Sequence, residues 1–105
     1  MKKLCVLLLL TVSLFANAKE YTFSPKDVPA MKQLLGSGNL QPGDAVVLKD
    51  GTYHNLEEIH FTGKGVSGKP IVWRAENPGK AVISGKLRLK IYGEYLQLED
   101  LLFYK

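Results

Sequence analysis

The chain opens with its longest apolar run, residues 4–15, preceded by Lys2 and Lys3 and followed by Ala16-Asn17-Ala18. A cationic start, an apolar core too short to span a bilayer as a mature helix, and small side chains at an A-x-A site are the three parts of an export signal. Cleavage is expected after Ala18, making residues 1–18 the leader and residues 19–105 the mature chain. A lipid-modified leader is not expected, because it needs its cysteine at the end of the apolar core, and Cys5 lies at the beginning.

After a short stretch, residues 19–23, the string Ser24-Pro25-Lys26-Asp27 has the chemistry of a helix start. Ser24 suits the N-cap, Pro25 the first helical position, and Asp27 the positive end of the dipole. Val28, Met31, Leu34 and Leu35 then recur at helical spacing, and Gly36-Ser37-Gly38-Asn39 stops the helix with residues that tolerate left-handed backbone. From Leu40 the period changes to short apolar runs separated by Gly, Pro, Asp and Asn. Strands are predicted at residues 45–49, 53–61, 71–75, 81–84, 87–91 and 95–104, the last broken at Glu99-Asp100. Turn chemistry stands between them at Gln41-Pro42-Gly43-Asp44, Asp50-Gly51-Thr52, Glu76-Asn77-Pro78-Gly79-Lys80, Ser84-Gly85 and Tyr92-Gly93.

No further helical pattern separates the strands, so the class is all-β, either a hairpin-linked sandwich or a solenoid. The spacing favours the solenoid. The runs beginning near Val46, Ile71 and Tyr95 repeat at about 24 to 25 residues, and those at Ala81 and Leu101 at about 20, the length of one coil of a parallel β-helix. The helix then has a place: laid across the first coil, it would cover an otherwise open apolar cross-section.

Composition narrows the picture. The 105 residues allow one small domain, with Lys+Arg 14 against Asp+Glu 10. Two of those lysines leave with the leader, so the formal +4 falls by two and gives little reason to expect nucleic acid as a partner. No membrane association is expected after leader removal. The only cysteine leaves too, so the mature chain has no disulfide and no cysteine-based metal site.

Gly63-Lys64-Gly65-Val66-Ser67-Gly68-Lys69 matches G-x-G-x-x-G and most of a P-loop, but Pro70 and a strand follow where both motifs need a hydroxyl or a helix. A loop between coils is the reading. Lys86, Arg88 and Lys90 alternate with Leu87, Leu89 and Ile91, which in a strand gathers three cations on one face. Such a face can hold the carboxylates or sulfates of an anionic polysaccharide, with Arg88 able to engage a carboxylate bidentately, although an ordinary solvated strand face has the same pattern. His54 and His60 fall six apart on one predicted strand, too distant to share a metal if it is straight. Glu57-Glu58 and Glu99-Asp100 are adjacent pairs that point to opposite faces, against a paired-carboxylate hydrolase. Tyr53, Trp73, Tyr92 and Tyr95 can stack on sugar rings, but core packing is the commoner use of strand aromatics.

Residues 40–53, followed by Gly63-Lys64-Gly65, Lys69-Pro70-Ile71-Val72-Trp73-Arg74-Ala75-Glu76-Asn77-Pro78-Gly79-Lys80, Ala81-Val82-Ile83-Ser84-Gly85 and Gly93-Glu94-Tyr95-Leu96, resemble the N-terminal portion of polysaccharide lyase family six, the chondroitinase-B and alginate-lyase group. The resemblance covers nearly all of the mature chain and implies the start of a right-handed, single-stranded parallel β-helix with a short N-terminal capping helix. It implies β-elimination on a uronic-acid polymer, alginate or chondroitin/dermatan sulfate, and the leader makes the expected location secreted or periplasmic. In that family calcium held by Asn and Glu neutralises the uronate, Lys is the base and Arg assists, all on later coils. No position here matches that motif, so no catalytic, cofactor-binding or metal residue is carried over, not even Lys49, Arg74 or Arg88. The chain is therefore expected to be an inactive N-terminal part of a longer lyase that can self-associate through an open last coil. The alternative is a small secreted β-helix module that binds anionic polysaccharide without catalysis.

Overall fold

The computed structural model describes residues 18–104; the leader and its cleavage motif lie almost entirely outside the described residues. Nine strands and one helix follow in the order β1 (Glu20–Phe23), a 3-10 turn (Pro25–Asp27), α1 (Val28–Ser37), β2 (Ala45–Leu48), β3 (Gly51–His54), β4 (Glu57–Lys64), β5 (Ile71–Ala75), β6 (Ala81–Ser84), β7 (Leu87–Glu94), β8 (Leu96–Glu99) and β9 (Leu102–Tyr104). They form three sheets, β1-β2-β5-β8, β3-β6-β9 and β4-β7, and every strand pair is parallel. A hairpin sandwich needs antiparallel neighbours, and the antiparallel contact among the described residues is one isolated bridge, Val66 to Lys69.

The chain visits the three sheets in rotation and adds one strand to each in turn. Ala45 lies beside Val72 and Ile71 beside Leu96, offsets of 27 and 25 residues, while Val82 lies beside Leu102 at the expected 20. The first interval is two residues longer than the sequence spacing suggests. An even difference keeps the same side chains inward, so the apolar pattern survives it.

Like side chains consequently stack on like positions. Tyr21, Val46, Trp73 and Leu98 form one column, and Tyr53, Ile83 and Phe103 another. Ile59, Phe61, Ile71, Trp73 and Leu48 are fully buried, and Phe61 meets Trp73 edge to face at 6.2 Å. Each such side chain contributes roughly 1.5–3 kcal/mol on leaving water.

The first coil is covered by three pieces rather than by the helix alone. Within residues 19–23, left without an element by the sequence, lies β1, which pairs with β2; the 3-10 turn packs on β3, and α1 packs on β4. Met31 and Leu35 are the buried residues of α1, with Val28 and Leu34 partly buried beside them. Ser24 does start the element: the Asp27 carboxylate accepts from the Ser24 backbone N–H at 3.1 Å and its hydroxyl at 3.0 Å. The N-H bond first, then the hydroxyl, holds the Asp27 carboxyl below the usual carboxylate range. Gly38, left-handed at φ 76°, ends the helix.

The predicted strand at residues 53–61 is two strands. Asn55 and Glu57 have φ 49° and 65°, and this left-handed corner turns the chain from β3 into β4. A second corner at Asp100, φ 61°, separates β8 from β9 where the sequence placed its break, whereas Tyr95, expected in a strand, is a left-handed corner at φ 52°. No helix among the described residues is long and apolar enough to cross a membrane.

Candidate functional site

The β4-β7 sheet carries the densest cluster of charge. Its strands run in register over eight pairs, which sets Glu58 beside Arg88, His60 beside Lys90 and Thr62 beside Tyr92. Alternation turns Ile59, Phe61, Leu87 and Leu89 toward the core and leaves the polar set outward.

Glu58 is the centre of the outward set. Its carboxylate lies 2.7 Å from His60 Nε2, 3.8 Å from Lys90 Nζ and 3.9 Å from Arg88 Nη1. The His60 hydrogen bond, followed by the Lys90 charge, holds the Glu58 carboxyl below its ordinary range. His60 also lies against Tyr92, with ring centroids 5.8 Å apart. The cations expected at Arg88 and Lys90 are therefore present and outward, but a carboxylate from the neighbouring strand partly compensates them.

Lys86 departs from the expectation. It precedes β7, at the corner that leads into that strand, where its backbone N–H faces Asn55 Oδ1 at 3.4 Å and its carbonyl accepts from Glu57 N–H at 3.0 Å. The three cations thus form a strand pair plus a corner residue. A hollow of about 900 Å³ lies at that corner, with Lys86, Arg88, Glu57 and Tyr104 on its lining. A smaller one, about 530 Å³, lies at the other end of the same sheet beside Tyr92, Lys64, Leu40 and Pro42.

The remaining candidates divide between core and surface. Tyr53 and Trp73 are buried and unavailable to a sugar, whereas Tyr92 and Tyr95 are exposed. The Tyr53 hydroxyl donates within reach of the Lys49 and Phe23 carbonyls, at 2.8 and 3.1 Å, and burial pushes its pKa up to about 12. Arg74 is taken up by Glu20 at 2.7 Å on the outer face of the first sheet. The glycine-rich string enters β4 and a tight turn, with no helix at its end. A side chain on Gly65 would collide with the Tyr95 carbonyl and the Ile71 N–H, so close backbone packing accounts for it. Sequence reasoning missed Glu58 and His60 as partners of Arg88 and Lys90. The signal was the pairing of one coil with the next, thirty residues on, which a single-strand pattern does not show.

The family model described as Chondroitinase B matches residues 30–105. No match is found among curated proteins. Among solved structures, the chain is 98% identical to a mannuronic acid specific polysaccharide family 6 lyase from human gut microbiota, with a TM-score of 0.82 over 83% of this chain and 20% of that one. It is 29% identical to the PL6 family alginate lyase AlyGC, with a TM-score of 0.64 over 80% of this chain and 11% of that one. It is 28% identical to the alginate lyase AlyF-OU02, solved in complex with G6, with a TM-score of 0.61 over 82% of this chain and 16% of that one. The chain spans about a fifth or less of the length of these proteins.

Proposed function

The chain belongs to the Chondroitinase B family, the PL6 polysaccharide lyases, and from that premise we propose that it supplies the cap and first coils of an exported lyase that cuts alginate by β-elimination at mannuronate. The observation that carries this reading is the 98% identity to a mannuronic acid specific lyase. The cyclic addition of parallel strands supports a right-handed parallel β-helix, of which β2-β3-β4 and β5-β6-β7 are the first two coils.

In that reaction a base removes the proton on C5, a double bond forms between C4 and C5, and the C4–O bond breaks. The departing sugar keeps the oxygen and takes up a proton. None of these roles is assigned to residues 19–105, which by themselves are expected to give no turnover. No group of three or more His, Asp or Glu side chains gathers among the described residues. Glu58, the carboxylate with most neighbours, is ringed by Arg88, Lys90 and His60.

The role proposed for Arg88 and Lys90, with Lys86 at the corner, is to attract an anionic polysaccharide to the β4-β7 face. Arg88 is more available than Lys90, with 74% of its side chain exposed against 40%. Its planar fork matches a uronate carboxylate.

The test is the protein carried to the end of its reading frame, assayed against mannuronate-rich alginate, guluronate-rich alginate and dermatan sulfate. Faster depolymerisation of the mannuronate-rich polymer supports the proposal. Cleavage of dermatan sulfate alone would move the substrate to the other branch, and binding without cleavage would favour the non-catalytic module.

A further inference from the structure

Asp44 is the one buried charged residue among the described residues, at 2% exposed. It closes the Gln41-Pro42-Gly43-Asp44 turn, with Oδ2 accepting from the Gln41 N–H at 2.8 Å and its own N–H donating to the Gln41 carbonyl at 2.9 Å. One oxygen is enough for that turn. The other, Oδ1, accepts from the backbone nitrogen of Lys19 at 2.9 Å, twenty-five residues away in sequence. A buried carboxylate held by N–H groups gains further from a positive charge placed against it.

The sequence supplies that charge. The leader reading breaks the Ala18–Lys19 bond, so the atom already on Asp44 is the one that becomes the terminal amine. We propose that Asp44 is the receptor for the mature N-terminus: processing after Ala18 turns the Lys19 nitrogen into an ammonium that forms an ion pair with the buried carboxylate and locks β1 onto β2. In the hydrolysis, water adds its hydroxyl to the Ala18 carbonyl carbon as the C–N bond breaks. The Ala18 acid gives up a proton and the Lys19 amine takes one up, being mostly protonated at neutral pH.

The geometry also orders the events. In the folded chain Lys19 is held at both ends, because its carbonyl accepts from the Ala45 N–H at 2.9 Å. Ala18 lies against the turn, its Cβ 3.3 Å from where a side chain on Gly43 would begin. A peptidase that needs this segment extended and free cannot bind it there, so cleavage precedes docking and docking consumes its product.

This inference rests on the exported reading, and the two are tested separately. N-terminal sequencing of the protein isolated from an exporting host should begin Lys-Glu-Tyr-Thr; any other start overturns the processing step. The lock is tested on full-length protein released by a tag protease to begin at Lys19 or at Ala18. Hydrogen exchange in Glu20–Phe23 should be about fivefold slower in the chain that begins at Lys19, from the gain of an ion pair over a hydrogen bond in which only the acceptor is charged. Asp44→Asn should erase that difference. Equal exchange in the two chains, or a difference that survives Asp44→Asn, overturns the lock whatever the N-terminal sequence. Should Asp44→Asn fail to fold, selective acetylation of the Lys19 α-amine takes its place, and unchanged exchange would overturn the lock.

Discussion

At the scale of single residues, the core aromatics and the surface aromatics share one sequence signature and separate only in the fold. Tyr53 and Tyr92 both stand in strands beside turn chemistry, yet Tyr53 is buried with its hydroxyl on two backbone carbonyls while Tyr92 is exposed beside His60. Tyr53→Phe removes the hydroxyl donor of the Lys49 carbonyl, while the Phe23 carbonyl keeps the Lys49 N–H, and should destabilise by about 1–2 kcal/mol, read by denaturant unfolding. The raised pKa gives a second readout. The unfolded tyrosine ionises near pH 10 and the folded one near 12, so the stability it contributes is intact below pH 10 and lost as pH rises toward 12. Tyr53→Phe should flatten that alkaline loss. Glu58 is legible as an exposed acid, but its company is not, because Arg88 and Lys90 come from the next coil. Glu58→Gln should tighten binding of alginate by a few-fold in a low-salt titration, and Arg88→Ala should weaken it by a similar factor, the size expected for exposed charge pairs.

Elements show where sequence pattern succeeds and where it fails. The helix, its start at Ser24 and its stop before Gly38 were legible because capping chemistry is local. The strand β1 was not, because four residues carry too little alternation to stand out and its pairing with β2 is set by the first coil. The corner at Asn55 was hidden for a related reason: a single asparagine between Tyr53 and Ile59 reads as strand until a left-handed φ is needed. Glycines fix how closely the coils approach. Gly63 and Gly93 are paired across β4 and β7, and a side chain on Gly93, at φ 140°, would run into the Gly63 carbonyl. Gly93→Ala should therefore cost about 3 kcal/mol or more, against about 1 kcal/mol for Gly68→Ala, where φ is 82° but the space is open. Thermal unfolding of the two variants side by side separates collision from conformation. Leu35→Ala, which empties the contact of α1 with the first coil, should cost 2–5 kcal/mol, about the usual range for a buried leucine.

At the scale of the whole molecule, burial falls along the chain. The inward residues of β2 to β6 are closed off, whereas Ile91, Leu102 and Phe103 on later strands are 52%, 47% and 47% exposed. Ile91 continues the column of the buried Phe61 and Phe103 that of Tyr53 and Ile83, whereas Leu102 lies beside the half-buried Val82. Residues 19–105 prepared alone should therefore associate through this surface, and Ile91→Lys with Phe103→Lys should return them to monomer in sedimentation. Fold class was legible because each coil repeats the one before; the company of Glu58 was not, because Arg88 and Lys90 reach it from the next coil. Mass analysis of the oligosaccharides released from polymannuronate by the full-length protein decides whether the chain heads a β-eliminating lyase. Elimination adds no water, so the account requires fragments with an unsaturated sugar at the new non-reducing end, each lighter by one water than a hydrolysis product. Saturated fragments would contradict it.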